Sequence, residues 1–217
     1  MSKKSVMRTP LNKEQIVTAA VNIADKEGVE GLSMRKLGQI LGVEAMALYH
    51  HFANKDALID SMVDRVQSEI EVPRGNDDWS AEMRLRAISA VIAVSKHRWV
   101  APLIETRQNP GVASMQLIDA TVKCLRSSGF SNDMVAHALS ALDAYTFGFA
   151  GQFRTDTIEQ SAQMGRDIME HFPFGTYPHV GEFVAEHVVN AGYRTMDEFC
   201  YGLDLILDGI AQQNLAK

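Results

Sequence analysis

The chain has 217 residues, 46% of them hydrophobic, with 27 acidic against 21 basic side chains and a net charge of −6. That content can bury a sizeable core; no apolar run is long enough for a membrane-spanning helix, and the basic start MSKKSVMRTP lacks the apolar stretch of a secretory signal, so a cytoplasmic protein is expected. Cys124 and Cys200, without Cys-x-x-Cys spacing, point to two buried thiols rather than a disulfide framework or a zinc site.

Helical periodicity runs through nearly the whole sequence and predicts an all-α fold. A first helix starts at NKEQ, where Asn12 caps and Gln15 reaches back in a capping box, with Ile16, Ala20, Ile23 and Ala24 on one face. Gly28 and Gly31 suit the chain reversal that follows. Ser33 is the expected N-cap of a short helix, MRKLGQIL, ending at Gly42, and a third short helix covers about 44 to 51. Asn54 then caps a longer helix, KDALIDSMVDRVQSEIE, with Leu58, Met62, Val66 and Ile70 at helical spacing. Pro73 and Gly75 break the pattern in VPRGNDD. Further helices are expected at about 80–98, 110–128, 132–154 and 196–213, while HFPFGTYPHVGE reads as a long loop between helical pieces.

Helices of about eight residues do not hold themselves together in water, so two in succession must lean on neighbours. Leu37, Ile40, Val43 and Leu48 are apolar at the spacing that would join the pair, Gly38 permits close approach, and Gly42 suits a left-handed turn residue. An ordinary helical hairpin has the same features. The outward positions of the second helix, however, are Ala45, Met46, Tyr49 and His50 instead of the usual Lys/Glu cover. Residues 1–55 carry eight basic against five acidic side chains, and the rest 13 against 22. A mildly basic head on an acidic body still suits a polyanion, since local charge governs phosphate attraction. These features suit a helix-turn-helix that contacts double-stranded DNA as well as an ordinary hairpin, and the resemblance that follows favours DNA contact.

The stretch GLSMRKLGQILGVEAMALYHHFANKDAL resembles the DNA-binding head of the tetracycline-repressor (TetR) family, in its capped helix, Gly-Val turn, Leu-Tyr, His-Phe pair and following lysine. SSGFSNDMVAHALSALDAYTFGFAGQF and FCYGLDLILDGI resemble the ligand-binding domain of the tetracycline-repressor branch. The resemblance implies a three-helix N-terminal helix-turn-helix domain over 1–55, joined by a connector helix at 54–71 to a larger helical effector-binding and dimerisation domain over 56–217. It implies a homodimeric repressor released from a palindromic operator by a small-molecule effector. Arg35 matches the base-reading arginine, and its fork on guanine O6 and N7 discriminates by about 1–3 kcal/mol. Ala45, Met46 and Ala47 occupy the start of the recognition helix, where contact with a thymine methyl is open to them but hydrogen bonding through side chains is not. Tyr49, His50, His51 and Lys55 match positions that hold phosphates, with Thr9 and Ser33 as further phosphate contacts. Arg35 and Tyr49 are therefore expected to carry more of the sequence discrimination than in relatives with a polar helix start.

In the body, the helix at 132–154 has an apolar stripe (Val135, Leu139, Leu142, Phe149, Phe153) and a small-residue stripe (Ala141, Ala144, Gly148, Gly151) on roughly opposite faces. Two uncharged faces call for two partners, the chain's own core and a second subunit. The last helix repeats this, with a Thr195/Glu198 capping box, a core face of Phe199, Leu203, Ile206 and Ile210, and Gly202 and Gly209 off it. By the resemblance, Leu103, Ala144 and Gln152 stand where the tetracycline repressor holds drug-bound magnesium, whereas Thr106 and Arg107 are retained. Hard cations need oxygen or nitrogen ligands, so a metal-free, partly apolar effector is expected, with no cofactor. Candidate effector contacts are Leu103, Thr106, Arg107, Asp143, Phe147, Gln152, Met169 and Phe172. His171, His179 and His187 recur every eight residues, a spacing that does not stack on one helical face, and neither a zinc-hydrolase motif nor a phosphate loop occurs, so an enzyme is not expected. An architectural or activating DNA-binding protein without small-molecule input, and an enzyme with a vestigial head, stand as alternatives.

Overall fold

The computed structural model describes residues 11–75, 78–107, 109–152, 158–171, 173, 175–190 and 194–215. The elements are α1 (Lys13–Glu27), a 3-10 turn (Val29–Gly31), α2 (Met34–Leu41), α3 (Ala45–Tyr49), α4 (Lys55–Gln67), α5 (Trp79–Lys96), a 3-10 turn (Arg98–Val100), α6 (Ala101–Thr106), α7 (Val112–Ser127), α8 (Asn132–Gln152), α9 (Ile158–His171), α10 (Pro178–Phe183), a π-helical stretch (Val184–Asn190) and α11 (Thr195–Leu215). No strand occurs among the described residues. The chain divides into two compact units between Gly129 and Phe130.

In the first unit the local signals set the helix ends. Gln15 N donates to Asn12 Oδ1 at 2.8 Å and Asn12 N to Gln15 Oε1 at 3.1 Å, closing the capping box of α1. Ser33 Oγ accepts from Lys36 N at 3.2 Å and Asn54 Oδ1 from Ala57 N at 2.8 Å, capping α2 and α4. Each such cap stabilises by about 1 kcal/mol. Ile16, Ala20, Ile23 and Ala24 of α1 are buried against the core, as are Leu58, Met62, Val66 and Ile70. The helix α4 stops at Gln67, four residues short of the expected end, where Ser68 Oγ donates back to the Arg65 carbonyl at 2.6 Å. Residues 71–75 do not run free: Glu71 N donates to Ser89 Oγ and Arg74 N to Glu82 Oε2, both at 2.8 Å, which ties the segment to α5.

One acidic row on α4 organises the next turn of chain. Arg107 Nη1 donates to Asp60 Oδ1 at 2.6 Å and Nη2 to Asp56 Oδ1 at 3.2 Å. One turn further along α4, Asp64 accepts from Ser114 N and Oγ at 2.8 and 2.9 Å and from Ala113 N at 3.3 Å, capping α7 from another helix. Gly111 stands at that cap because a Cβ there would run into the Asp64 carboxylate.

In the second unit, α8 packs on α11 through rings. Tyr145 stacks on Phe199 at 5.3 Å, Phe149 tilts against Phe199 at 5.1 Å, and Tyr145 Oη donates to the Phe199 carbonyl at 3.1 Å. Gly202, expected off the core face, is where the Tyr145 phenol seats; any side chain there would collide with it. Phe199, Leu203, Leu207 and Ile210 are buried, so Leu207 takes the place expected of the half-buried Ile206. Thr195, expected as the N-cap of the last helix, is instead the first helical residue of α11, one position inside it. The expected loop at 171–182 contains α10, opened by Pro178, whose missing N–H costs nothing in a first helical turn.

Candidate nucleic-acid interface and effector region

The geometry of α2 and α3 starts from two glycines. Gly42 has φ of 67°, a left-handed conformation that turns the chain between the helices. A Cβ on Gly38 would lie 2.8 Å from the Val43 carbonyl oxygen and 3.2 Å from Ala45 N, so only glycine lets the turn sit on α2. Met34, Leu37 and Leu48 are buried and make the joint. Ile40, expected to belong to it, is instead 57% exposed. With the turn lying against the Gly38 face, the joint is closed by Leu37 and Leu48, and Ile40 is left outside it.

The candidate DNA contacts fall on described surface, except Thr9, which lies outside the described residues. Arg35 is exposed on α2, and its side chain makes no hydrogen bond or ion pair to another described residue. Ser33 spends an acceptor lone pair on the α2 cap, and its hydroxyl proton stays available to a phosphate. On α3, Met46, Tyr49 and His50 are exposed, Ala45 and His51 half-buried. Lys55 is half-buried, and its Nζ points back to the Val29 carbonyl at 3.4 Å, so it must turn outward to meet a phosphate. Lys36, not among the expected contacts, pairs with Glu27 of α1.

The candidate effector contacts lie in different settings. Leu103 and Thr106 border an open cleft of about 710 Å³ lined also by Asp25, Lys96, Arg98 and Trp99. Arg107 is engaged by Asp56 and Asp60. In the second unit, Asp143 and Phe147 are half-buried on α8 and Met169 is exposed on α9. The Gln152 side chain and Phe172 lie outside the described residues.

Sequence reasoning missed a polar cluster around a buried histidine beside that cleft. His97, 3% exposed, places Nδ1 2.7 Å from Asp25 Oδ1, and the same oxygen accepts from Trp99 Nε1 at 2.7 Å. Across the ring, Nε2 lies 3.5 Å from Glu69 Oε2. Glu69 also pairs with Lys96 at 2.9 Å and Arg65 at 3.1 Å. Burial pushes the Glu69 carboxyl up, but the Lys96 hydrogen bond and the charges of His97, Lys96 and Arg65 outweigh it and hold it below its ordinary value. The signal available in the sequence was SKHRWV, a histidine and a tryptophan closing a buried helix.

No helix among the described residues is long and apolar enough to cross a membrane. The family model for bacterial regulatory proteins of the tetR family matches residues 16–62, and that for the tetracyclin repressor-like C-terminal domain matches 72–214. The HTH-type transcriptional repressor DrrR1 of Streptomyces coeruleorubidus is 30% identical over 215 residues, covering 92% of this chain and 77% of that protein. The tetracycline repressor protein class A from transposon 1721 of Escherichia coli is 30% identical over 216 residues, covering 95% and 94%. Among solved structures, the Streptomyces coelicolor TetR family protein ActR in complex with actinorhodin superposes with a TM-score of 0.73 at 26% identity, over 95% of this chain and 99% of that one. With the capped short-helix pair, the all-helical body and both family domains in their expected order, this chain belongs to the TetR family of transcriptional regulators.

Proposed function

We propose that this protein is a cytoplasmic, homodimeric repressor that holds a palindromic operator through α2 and α3 of two heads and releases it when a partly apolar, metal-free small molecule binds the body. The observation that carries the reading is the α2–α3 pair, held close by Gly38 and turned at Gly42, with Arg35, Met46, Tyr49 and His50 each exposed to solvent. The relatives are named as repressors, and ActR has been solved with actinorhodin and with (S)-DNPA, which supports small-molecule control. The head is taken as residues 1–55, with α4 as connector to the body at 56–217. Ser33, Arg35, Ala45, Met46, Tyr49, His50, His51 and Lys55 form its DNA surface, joined by Thr9.

Dimerisation is supported by what α8 and α11 leave uncovered. Ala141, Ala144, Gly148 and Gly151 of α8 are exposed, and so are Tyr201 and Leu205 of α11, at 67% and 59%. Apolar surface of this kind calls for a partner, and small residues permit close helix approach. Two heads then present recognition helices about 34–36 Å apart, one turn of DNA. The effector acts by binding better to a dimer whose heads are spaced wrongly for the groove. Leu103 and Ala144 offer no metal-ligating atoms, which favours an effector without magnesium. The test is a gel-shift assay on the DNA flanking the protein's own gene, with Arg35→Ala as control. Binding by wild type that Arg35→Ala loses supports the reading; equal binding by both overturns it.

A further inference from the structure

The recognition helix exposes carbon where a DNA reader ordinarily exposes nitrogen and oxygen. Among the described residues 11–75, the large exposed hydrophobic side chains are Ile40, Met46, Tyr49 and Val72, and three of these four stand within ten residues of one another. Met46 is the most exposed, at 66%. Its direction is fixed by its neighbour: Leu48 is fully buried in the joint, and two residues are roughly 200° of helix, so Met46 points away from the head. The alanines beside it, Ala45 and Ala47, add no donor or acceptor. Most of the Met46 side chain lies outside the packing of this unit, and a flexible unbranched side chain adapts well to an irregular apolar partner.

On the floor of the major groove the apolar group is the thymine C5-methyl; the other edges present hydrogen-bonding atoms. We propose that Met46 is a specificity-determining residue that reads a thymine methyl in each half-site, so that this step is recognised by burial of carbon and not by a hydrogen bond. The inference rests on the DNA-binding reading above. Arg35 supplies polar readout from α2, and Met46 supplies methyl readout from α3. Burying one methyl corresponds to about a fourfold gain in affinity.

Full-length protein is used to enrich duplexes from a random-sequence pool, and the best-bound duplex is resynthesised with each thymine replaced in turn by uracil, which removes the methyl alone. Affinities are measured by fluorescence anisotropy at one fixed salt concentration. In wild type, uracil at one thymine position per half-site weakens binding about fourfold. Met46→Ala and Met46→Gln melt at the wild-type temperature, bind thymine and uracil alike at that position, and keep the wild-type response to uracil elsewhere. If uracil is harmless at every position, or if both variants keep the wild-type penalty, the inference is overturned while the DNA-binding reading stands. If the pool yields no enriched sequence, both fall together.

Discussion

Asp25 of α1 and His97, which closes α5, are joined at 2.7 Å although 72 residues separate them in sequence. The ring is buried, and its two nitrogens face different carboxylates, Asp25 from α1 and Glu69 from just beyond the end of α4. Trp99 donates to the same Asp25 oxygen. The cluster therefore ties α1, the end of α4 and the end of α5 to one another within the first unit. A buried imidazole is costly unless its nitrogens find partners, and the part-exposed carboxylates supply them.

Replacing Asp25 by alanine strands the Trp99 donor and a His97 nitrogen together. The expected loss is about 1–3 kcal/mol of stability, read as a lower Tm. Asp25→Asn keeps an acceptor oxygen and recovers part of it. An Asp25→Ala protein that melts with wild type would show that the joint carries no stability.

Glu69 adds a pH dependence with a definite sign. Its carboxyl is held below its ordinary value of 4.5. Between the lowered folded value and the ordinary one, the unfolded chain binds more protons, so the contribution is complete above about pH 4.5 and is lost as pH falls through the folded value. Denaturant titrations from pH 6 downward should show a steeper acid-side loss for wild type than for Glu69→Gln. Identical slopes would remove Glu69 from the account.

The local parts of this architecture were legible in the sequence. The Asn12/Gln15 capping box, the Ser33 and Asn54 caps and the Gly42 turn are three- and four-residue motifs whose partners lie in the same stretch of chain, so their chemistry can be read without the fold. The Asp25–His97 joint, the Arg107 clasp and the Asp64 cap on α7 were not legible, because each joins groups 47 or more residues apart. Ile40 shows a different limit. Its spacing from Leu37 suited the joint, but the close approach at Gly38 decided which side of α2 the turn would cover. Gly202 is similar: a small residue near a helix surface suits a second subunit or a neighbouring ring, and the position of Tyr145 decided for the ring.

Arg107 is a candidate effector contact, and its guanidinium also grips Asp56 and Asp60 on α4. Arg107→Ala leaves two carboxylates of the α4 row without their cation, at a cost of about 1–2 kcal/mol for a pair partly shielded from water. Because α4 follows α3 directly, DNA affinity without effector should fall as well. Arg107→Lys recovers only part, since an ammonium does not reproduce the two-armed contact. Unchanged Tm and unchanged DNA affinity, with effector response alone lost, would assign Arg107 to the effector and not to the α4 clasp.

Gly38→Ala tests the joint between the two short helices. Its Cβ would meet the Val43 carbonyl oxygen at 2.8 Å, and backbone cannot swing aside as a flexible side chain can. The turn must lift from α2, at an expected cost of about 1–3 kcal/mol. The change displaces α3, so operator affinity should drop by more than stability alone predicts at temperatures where the head stays folded. Far-ultraviolet circular dichroism confirms folding, and anisotropy on an enriched duplex reads the affinity. Wild-type affinity in a folded Gly38→Ala protein would mean that the α2–α3 spacing does not set DNA contact.

Arg35 and His50 are both exposed on the proposed DNA surface, and they are expected to fail in different ways. The Arg35 guanidinium has no partner among the described residues, and a fork on guanine discriminates between bases, so Arg35→Ala should weaken the best duplex by about 1–3 kcal/mol and leave duplexes mismatched at that guanine nearly unaffected. His50 is expected on a phosphate, which positions without reading. Its replacement by alanine should weaken matched and mismatched duplexes by one common factor. The comparison needs both duplex classes at one salt concentration, since phosphate attraction varies steeply with salt and would otherwise imitate lost specificity. Because Ala45, Met46 and Ala47 bring no polar readout, Arg35 has few polar partners to share discrimination with, and its loss should flatten the preference at its own step almost completely. Retention of the wild-type matched-to-mismatched ratio by Arg35→Ala would move polar base reading to another residue, with Tyr49 the next to test.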